Sequence, residues 1–277
     1  MGYIKNNFII VTVSILIASP AIAEQVPQWE IGAGVAYIDF PNYRGSMERH
    51  KYVLPMPYVI YRGDRLKSDD KGVRELLLHT ETAEVNLSVN GSVPVRNDAA
   101  RQGMPDLAPT FEIGPALNIS LYKLEVNHAQ LELRLPIRLV IATDFSFIRD
   151  TGLIFQPQLN LDVQNIFEQT GWNFGVGAGP IFADRRYSQY YYSVDPQYAR
   201  PDRPAYTASG GFAGSQFVAA LSKRFPNFWI GGFVKWDMLQ GASFEGSPLV
   251  KRKSSGTAGF GIAWVLEESS IKVIKDN

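Results

Sequence analysis

Apolar and polar residues alternate along most of the chain with a period of two. In the run from residue 129 to 141, Ala129, Leu131, Leu133, Leu135, Ile137, Leu139 and Ile141 are apolar, and Gln130, Glu132, Arg134, Pro136, Arg138 and Val140 lie between them. A helix repeats every 3.6 residues, so a strict two-residue repeat of this length predicts a strand. Leu153, Phe155, Pro157, Leu159, Leu161 and Val163 repeat the pattern against Ile154, Gln156, Gln158, Asn160 and Asp162. Softer versions begin at Trp29, Ala83, Thr110 and Trp172. These runs are around ten residues or more, the length of a tilted strand crossing a bilayer and about twice that of an ordinary soluble strand. The pattern predicts about twelve strands. Two of these, residues 63–68 and 73–79, are short and weakly patterned, and ten strands is the alternative.

The connections fall into two classes. With the first strand starting in the periplasm, one set of turns is short: residues 61–63, 80–81, 123–125, 164–169 and 226–227. The alternate set is long except at 69–71: residues 39–50, 94–107, 143–150, 185–208 and 240–255. Short periplasmic turns with long outer loops are the asymmetry of outer-membrane barrels. Alternation alone does not say which face is inside, and a soluble lipocalin-like barrel is the competing fold. Such barrels close with roughly eight strands. About twelve with an apolar interior would enclose a large dry void. The predicted fold is therefore all-β, an antiparallel up-and-down transmembrane barrel with its apolar face toward lipid.

The chain has no cysteine, which removes disulfides, thiol nucleophiles and Cys-ligated metals. Its 27 basic and 27 acidic residues are interspersed, which argues against a nucleic-acid surface. Lys5, the apolar stretch 8–18 and the small-residue pattern Ala21-Ile22-Ala23 predict a cleaved export signal over residues 1–23. Residues 24–266 are then the barrel, and 267–277 a periplasmic tail. No cofactor is expected, and His50, His79 and His128 lack metal-site spacing.

Several motifs carry a family resemblance. They are Pro41-Asn42-Tyr43-Arg44-Gly45-Ser46, Pro57-Tyr58-Val59-Ile60-Tyr61 and Gly103-Met104-Pro105-Asp106-Leu107 leading to Glu112-Ile113-Gly114-Pro115. Then come Arg185-Arg186-Tyr187, Tyr190-Tyr191-Tyr192-Ser193-Val194, Tyr198-Ala199 and Arg203-Pro204-Ala205-Tyr206. Ser222-Lys223-Arg224-Phe225, Leu239-Gln240-Gly241-Ala242-Ser243-Phe244 and Ser247-Pro248-Leu249-Val250 complete the set. In this order, over nearly all of the mature chain, they resemble the MipA/OmpV family of outer-membrane proteins. The founder of that family is named as a scaffold for a lytic murein transglycosylase. The resemblance implies a non-catalytic barrel contacting outer-membrane lipid and lipopolysaccharide, with a lytic murein transglycosylase and a penicillin-binding protein as partners. Family members usually end on an aromatic residue. Here the last predicted strand ends in Val265-Leu266 and a tail follows.

The alternation turns Glu30, Glu84, Glu112, Glu132, Arg134, Arg138, Lys235 and Asp237 toward the lumen. They predict either a selective polar path or a plug of charges paired across strands. Arg134 and Arg138 are expected to pair with Glu112 or Glu132. Loop 185–208 holds six tyrosines and four arginines. Its Arg185, Arg186, Tyr187, Tyr190, Tyr191, Tyr192, Tyr198, Arg203 and Tyr206 are candidates for outer-face recognition, or for a fold over the barrel mouth or an aromatic girdle. Gly175, Gly177 and Gly179 share one face of a strand and leave room for bulky lumen neighbours. A remote alternative is a lipid hydrolase using Ser88 with His79. Function thus stands between a murein-enzyme scaffold, with contacts at the short turns and tail, and a small-solute channel or a surface-exposed protein of osmotic response or adhesion.

Overall fold

The structure, a computed structural model, describes residues 25–63, 66–69, 72–80, 82–124, 129–144, 146–166 and 171–274. The predicted export signal and its cleavage site, His128 and the last three tail residues lie outside them.

Fifteen strands and one α-helix occur among the described residues. In chain order the strands are β1 (Gln25–Pro27), β2 (Trp29–Pro41), β3 (Arg49–Arg62), β4 (Leu66–Asp69), β5 (Gly72–His79), β6 (Ala83–Ser92), β7 (Thr110–Leu124) and β8 (Ala129–Thr143). They continue as β9 (Ile148–Phe155), β10 (Gln158–Gln164), β11 (Trp172–Ala183), β12 (Gly211–Arg224), β13 (Phe228–Met238), β14 (Ser254–Glu268) and β15 (Lys272–Ile274). The helix α1 (Arg185–Tyr192) lies in the long loop between β11 and β12.

Strands β2 to β14 form one antiparallel sheet in which each neighbour in sequence is a neighbour in space. β9 and β10 follow one another between β8 and β11, interrupted at Gln156-Pro157, where proline removes a ladder donor. Taken as one strand, they bring the wall to twelve. The last wall strand pairs with the first, Phe260 opposite Tyr37 and Trp264 opposite Ala33, so the ring of pairings is continuous. The periodicity is realised on both faces. Ile31, Val35, Leu159, Trp236, Phe260 and Trp264 are exposed on the outer face, where lipid covers them. Glu30, Glu112, Glu132, Arg138, Asn160 and Asp237 on the inner face are buried.

Two features depart from the expected layout. β14 runs to Glu268, two residues past the predicted boundary, because a bulge between Val265 and Glu267 lets pairing with Ile31 and Glu30 resume. Beyond it β15 pairs with β1, Val273 opposite Val26, so the tail folds back as a two-stranded ribbon at the end with the short turns. The weakly patterned pair is present but short: β4 has four residues and β5 eight.

The buried core lies at the outer mouth rather than inside the wall. Tyr43, Val95, Leu107, Tyr187, Tyr191, Tyr192, Leu239 and Phe244 from four long loops pack together with Val140, Ile154 and Ile181 of the wall rim. The outer loops are a folded cap.

Candidate functional site: a braced lumen under a folded cap

Three ionic groups brace the lumen. At the periplasmic end Glu30 sits between two arginines. Arg62 donates to its Oε1 at 2.9 Å, and Arg224 donates Nε and Nη2 to its Oε2 at 2.9 and 2.7 Å. The tyrosine hydroxyl of Tyr58 reaches the same Oε2 at 3.5 Å. These partners come from β3 and β12, on either side of β2, so the contact spans part of the bore. A second group is Arg134, which donates to Glu132 on its own strand at 2.8 Å and to Asp162 of β10 at 2.6 Å.

The third group runs along the inner wall beneath the cap. Arg138 donates Nε to Glu112 at 2.9 Å, Nη2 to Gln156 at 2.7 Å and Nη1 to Ser88 at 3.3 Å. Gln156 then donates to Gln216 at 2.9 Å, and Gln216 to Asp237 at 2.9 Å. Asp237 also accepts from Arg44 Nε at 3.0 Å, and Arg44 Nη2 donates to the carbonyl of Ala213 at 2.8 Å. This chain of side chains links β6, β7, β8, β12 and β13 to the loop after β2. Both carboxylates in it carry a charged partner and are shielded from water, the condition under which removing one member is most damaging.

The cap is built on α1. Asp184 initiates it, accepting from the Tyr187 N–H at 2.8 Å. The helix can dock against the rim because residue 152 is glycine: at φ +117 a side chain there would be strained, and a Cβ would stand 2.1 Å from Asp184 Oδ1. Its buried face is aromatic. Tyr192 stacks on Phe244 with ring centroids 3.7 Å apart, and its hydroxyl donates to the Arg44 carbonyl at 2.9 Å. Ser247 donates to the Tyr192 carbonyl at 2.6 Å, Arg101 to the Tyr191 carbonyl at 3.1 Å and Tyr190 to the Ala108 carbonyl at 3.0 Å. Arg203 is buried among carbonyls, donating to Ala100, Gln102 and Tyr198. Four outer loops are thereby locked to one another.

Of the lumen residues expected from the alternation, Glu30, Glu112, Glu132, Arg134, Arg138 and Asp237 enter these groups. Glu84 accepts from Asn86 at 2.7 Å, below the main belt. Lys235 is opposite Val218 and Thr257 on the inner face and half-buried. Of the outer-loop candidates, Tyr187, Tyr191, Tyr192 and Arg203 are buried, and Tyr190, Tyr198 and Tyr206 partly so. Only Arg185 and Arg186 are exposed, and Arg186 pairs with Asp150 and Asp184. The inward glycines do make room: a Cβ on Gly175 or Gly177 would meet the side chains of Asp162 or Asn160. The strand register places His79 opposite Glu84. That is four residues along β6 from Ser88, a separation of about 13 Å along the strand. His50 lies in β3 and stacks on Tyr52 rather than in a loop.

Arg44, Arg62, Arg224 and Gln216 complete the lumen groups and were not expected from the alternation; Gln156 and Asp162 fell on its polar side without being singled out. Arg62 and Arg224 are the last residues of β3 and β12 and read as turn positions, and Arg44 lies in a loop. The three arginines share one signal: the inward carboxylates outnumber the inward arginines inside the predicted strands.

A family model described as "MltA-interacting protein MipA" matches residues 31–266, most of the chain. The chain belongs to this family. Among curated proteins none matches it. The outer membrane protein OprG from Pseudomonas aeruginosa is similar at 9% identity, over 88% of this chain and 95% of that one, with a TM-score of 0.23. The Ralstonia pickettii toluene transporter TbuX is similar at 7% identity, over 89% of this chain and 71% of that one, with a TM-score of 0.24. This MipA-family barrel is an outer-membrane protein, and its continuous ring of strand pairings stands independently of either likeness.

The cap of the MipA-family barrel carries a pH dependence. Burial pushes the phenols of Tyr187, Tyr191 and Tyr192 up from 10.0, and that of Tyr190 to about 12. Folding holds these groups neutral, so the unfolded cap ionises first as pH rises past 10.0. Their contribution is intact below that value and is lost as pH climbs through the folded ones. Ultraviolet titration of tyrosinate should therefore show a late set that ionises only as the cap opens. A single phase near 10 would contradict the packing described.

Proposed function

We propose that this chain is a non-catalytic, closed outer-membrane barrel that anchors murein-synthesising and murein-cleaving enzymes at the periplasmic face. The observation that supports the reading is the folded cap over a braced wall. Ionic groups that link strands of the wall and a cap of interlocked loops favour a rigid body over an axial passage. The family description, an MltA-interacting protein, supplies the partner class: a lytic murein transglycosylase, with a penicillin-binding protein beside it. The outer loop's Tyr and Arg side chains are mostly engaged within the cap, which weakens the reading of that loop as a recognition surface.

The periplasmic end offers more than short turns. The β1–β15 ribbon joins the start and the tail of the chain below the wall, adding backbone edges to which a partner can be fitted. Residues 1–23 are proposed to direct export, with the mature chain starting at Glu24.

The test is co-purification. The full mature chain in detergent should retain a lytic transglycosylase, and a chain ending at Glu268, which lacks β15, should retain much less while keeping its heat-dependent gel mobility. Equal retention by both would move the contact away from the ribbon. No retention by either would remove the scaffold reading.

A further inference from the structure

Among the described residues, the wall lacks a neighbouring strand on one side of its outer half. β3 is fourteen residues long, but its described pairings with β4 stop at Tyr61 and Arg62. The β4–β5 hairpin turns back at Asp69 and Gly72, and the last described pairing of β5 with β6 is Leu76 opposite Asn86. By these pairings Ser92, the last residue of β6, stands level with about Tyr58, so among the described residues positions 49–57 of β3 have no strand beside them on that side. The opening is closed at the top, where Asn42 and Ser46 donate to Asp98 at 2.8 and 2.9 Å and Glu48 accepts from the Ala99 N–H at 2.8 Å. It is therefore a window in the outer half of the wall, below the cap.

Exposure on β3 agrees with the register. Tyr52 and Leu54 face inward, on the same side as buried Tyr58, yet Leu54 is 47% exposed; outward Val53 is 69% exposed. Sequence supports the free edge independently. Arg62 donates its N–H to Gln28 on the β2 side. By the alternation of an antiparallel ladder, Pro55 and Pro57 turn their nitrogens away from β2 and into the window. Proline has no N–H there, so two donors that hydrocarbon could not satisfy are absent. The same two prolines deny an incoming strand its ladder, which disfavours a protein partner on this edge.

The lumen beside the window has an apolar side at mid-wall: β3 and β13 present Leu54, Met56, Trp229 and Phe233 there, between Lys235 and Asp237 toward the cap and the Glu30–Arg62–Arg224 group toward the periplasm. Trp229 lies over Gly231 and Gly261, Met56 meets Gly261, and Phe233 lies over Gly259. The cap shuts the outer axial route, so this apolar side communicates outward with the bilayer alone. Left empty, it would forfeit contacts that a hydrocarbon chain restores. We propose that the window admits the acyl chain of an outer-leaflet lipid, which lies along the Leu54–Met56–Trp229–Phe233 side of the lumen as a bound ligand. This is independent of the murein scaffold reading.

The test uses fluorescence. Replacing Trp29, Trp172, Trp236 and Trp264 with Phe leaves Trp229 as the sole tryptophan of the full chain. In vesicles of phospholipid brominated on its acyl chains, Trp229 should lose most of its intensity relative to unbrominated vesicles, while aqueous acrylamide has little effect. Met56→Arg, placing a charge between window and reporter, should restore the intensity in brominated vesicles; Leu54→Glu is the second variant if the first loses its heat-dependent gel mobility. Quenching by acrylamide and not by bromine would show a water-filled slot and overturn the proposal. Bromine quenching that both folded variants leave unchanged would also overturn it, since the bromine would then act through the wall.

Discussion

Replacing Arg138 with alanine is expected to destabilise the barrel by about 3–5 kcal/mol, the cost of leaving a buried carboxylate without its partner. Arg138 is the branch point of the belt beneath the cap. It meets Glu112, Gln156 and Ser88 at once, and its side chain and that of Glu112 are 6% and 10% exposed. Losing it strands the Glu112 charge and frees Gln156, which positions Gln216 and through it Asp237. The heat-dependent gel shift should then occur at a clearly lower temperature. Arg138→Met combined with Glu112→Leu should recover most of the loss, because no charge is left unpaired. A single variant as heat-stable as the parent would mean that the belt contributes nothing to the wall.

Tyr192→Ala is expected to act on the cap and spare the wall. Tyr192 is 1% exposed, stacks on Phe244, and holds the loop after β2 through the Arg44 carbonyl. Truncating a buried aromatic of this kind costs about 3–5 kcal/mol. The cap packs at the mouth, outside the strand ladders that hold the wall, so it should open locally rather than drag the barrel with it. Limited proteolysis of intact vesicles should nick residues 185–208 in the variant and leave the parent whole, while the heat-dependent gel shift stays in place. Tyr192→Phe keeps the stack and loses one hydrogen bond, about 1 kcal/mol, so it should resist cleavage nearly as well as the parent.

The strands were legible because a two-residue repeat has one structural solution, and the run 129–141 became β8 almost residue for residue. The inward direction of Glu112, Glu132, Arg134 and Arg138 followed from the same repeat. Their partners did not, because register across strands depends on backbone geometry that periodicity does not encode. That is why Arg138–Glu112 and Arg134–Asp162 could be narrowed to a few possibilities only. α1 was hidden for a different reason. Eight residues are too few to hold a helix by propensity, and three consecutive tyrosines favour a strand locally. The helix exists because Asp184 caps it and the mouth of the barrel buries its tyrosines. The tyrosine-rich loop therefore read equally well as a recognition surface or as a lid, and the packing assigns most of it to the lid. The window was foreshadowed by two weak features, the poorly patterned residues 63–79 and the prolines at 55 and 57, whose joint meaning needed the pairing of β3.

The account rests on a lumen that is braced along its inner wall and capped on its outer side. Single-channel recording of the wild-type barrel in planar bilayers tests this most directly. The expected record is a flat baseline with no sustained ion current across the range of voltages that the bilayer survives. Discrete, long-lived openings of the wild-type barrel would contradict it and favour a small-solute channel.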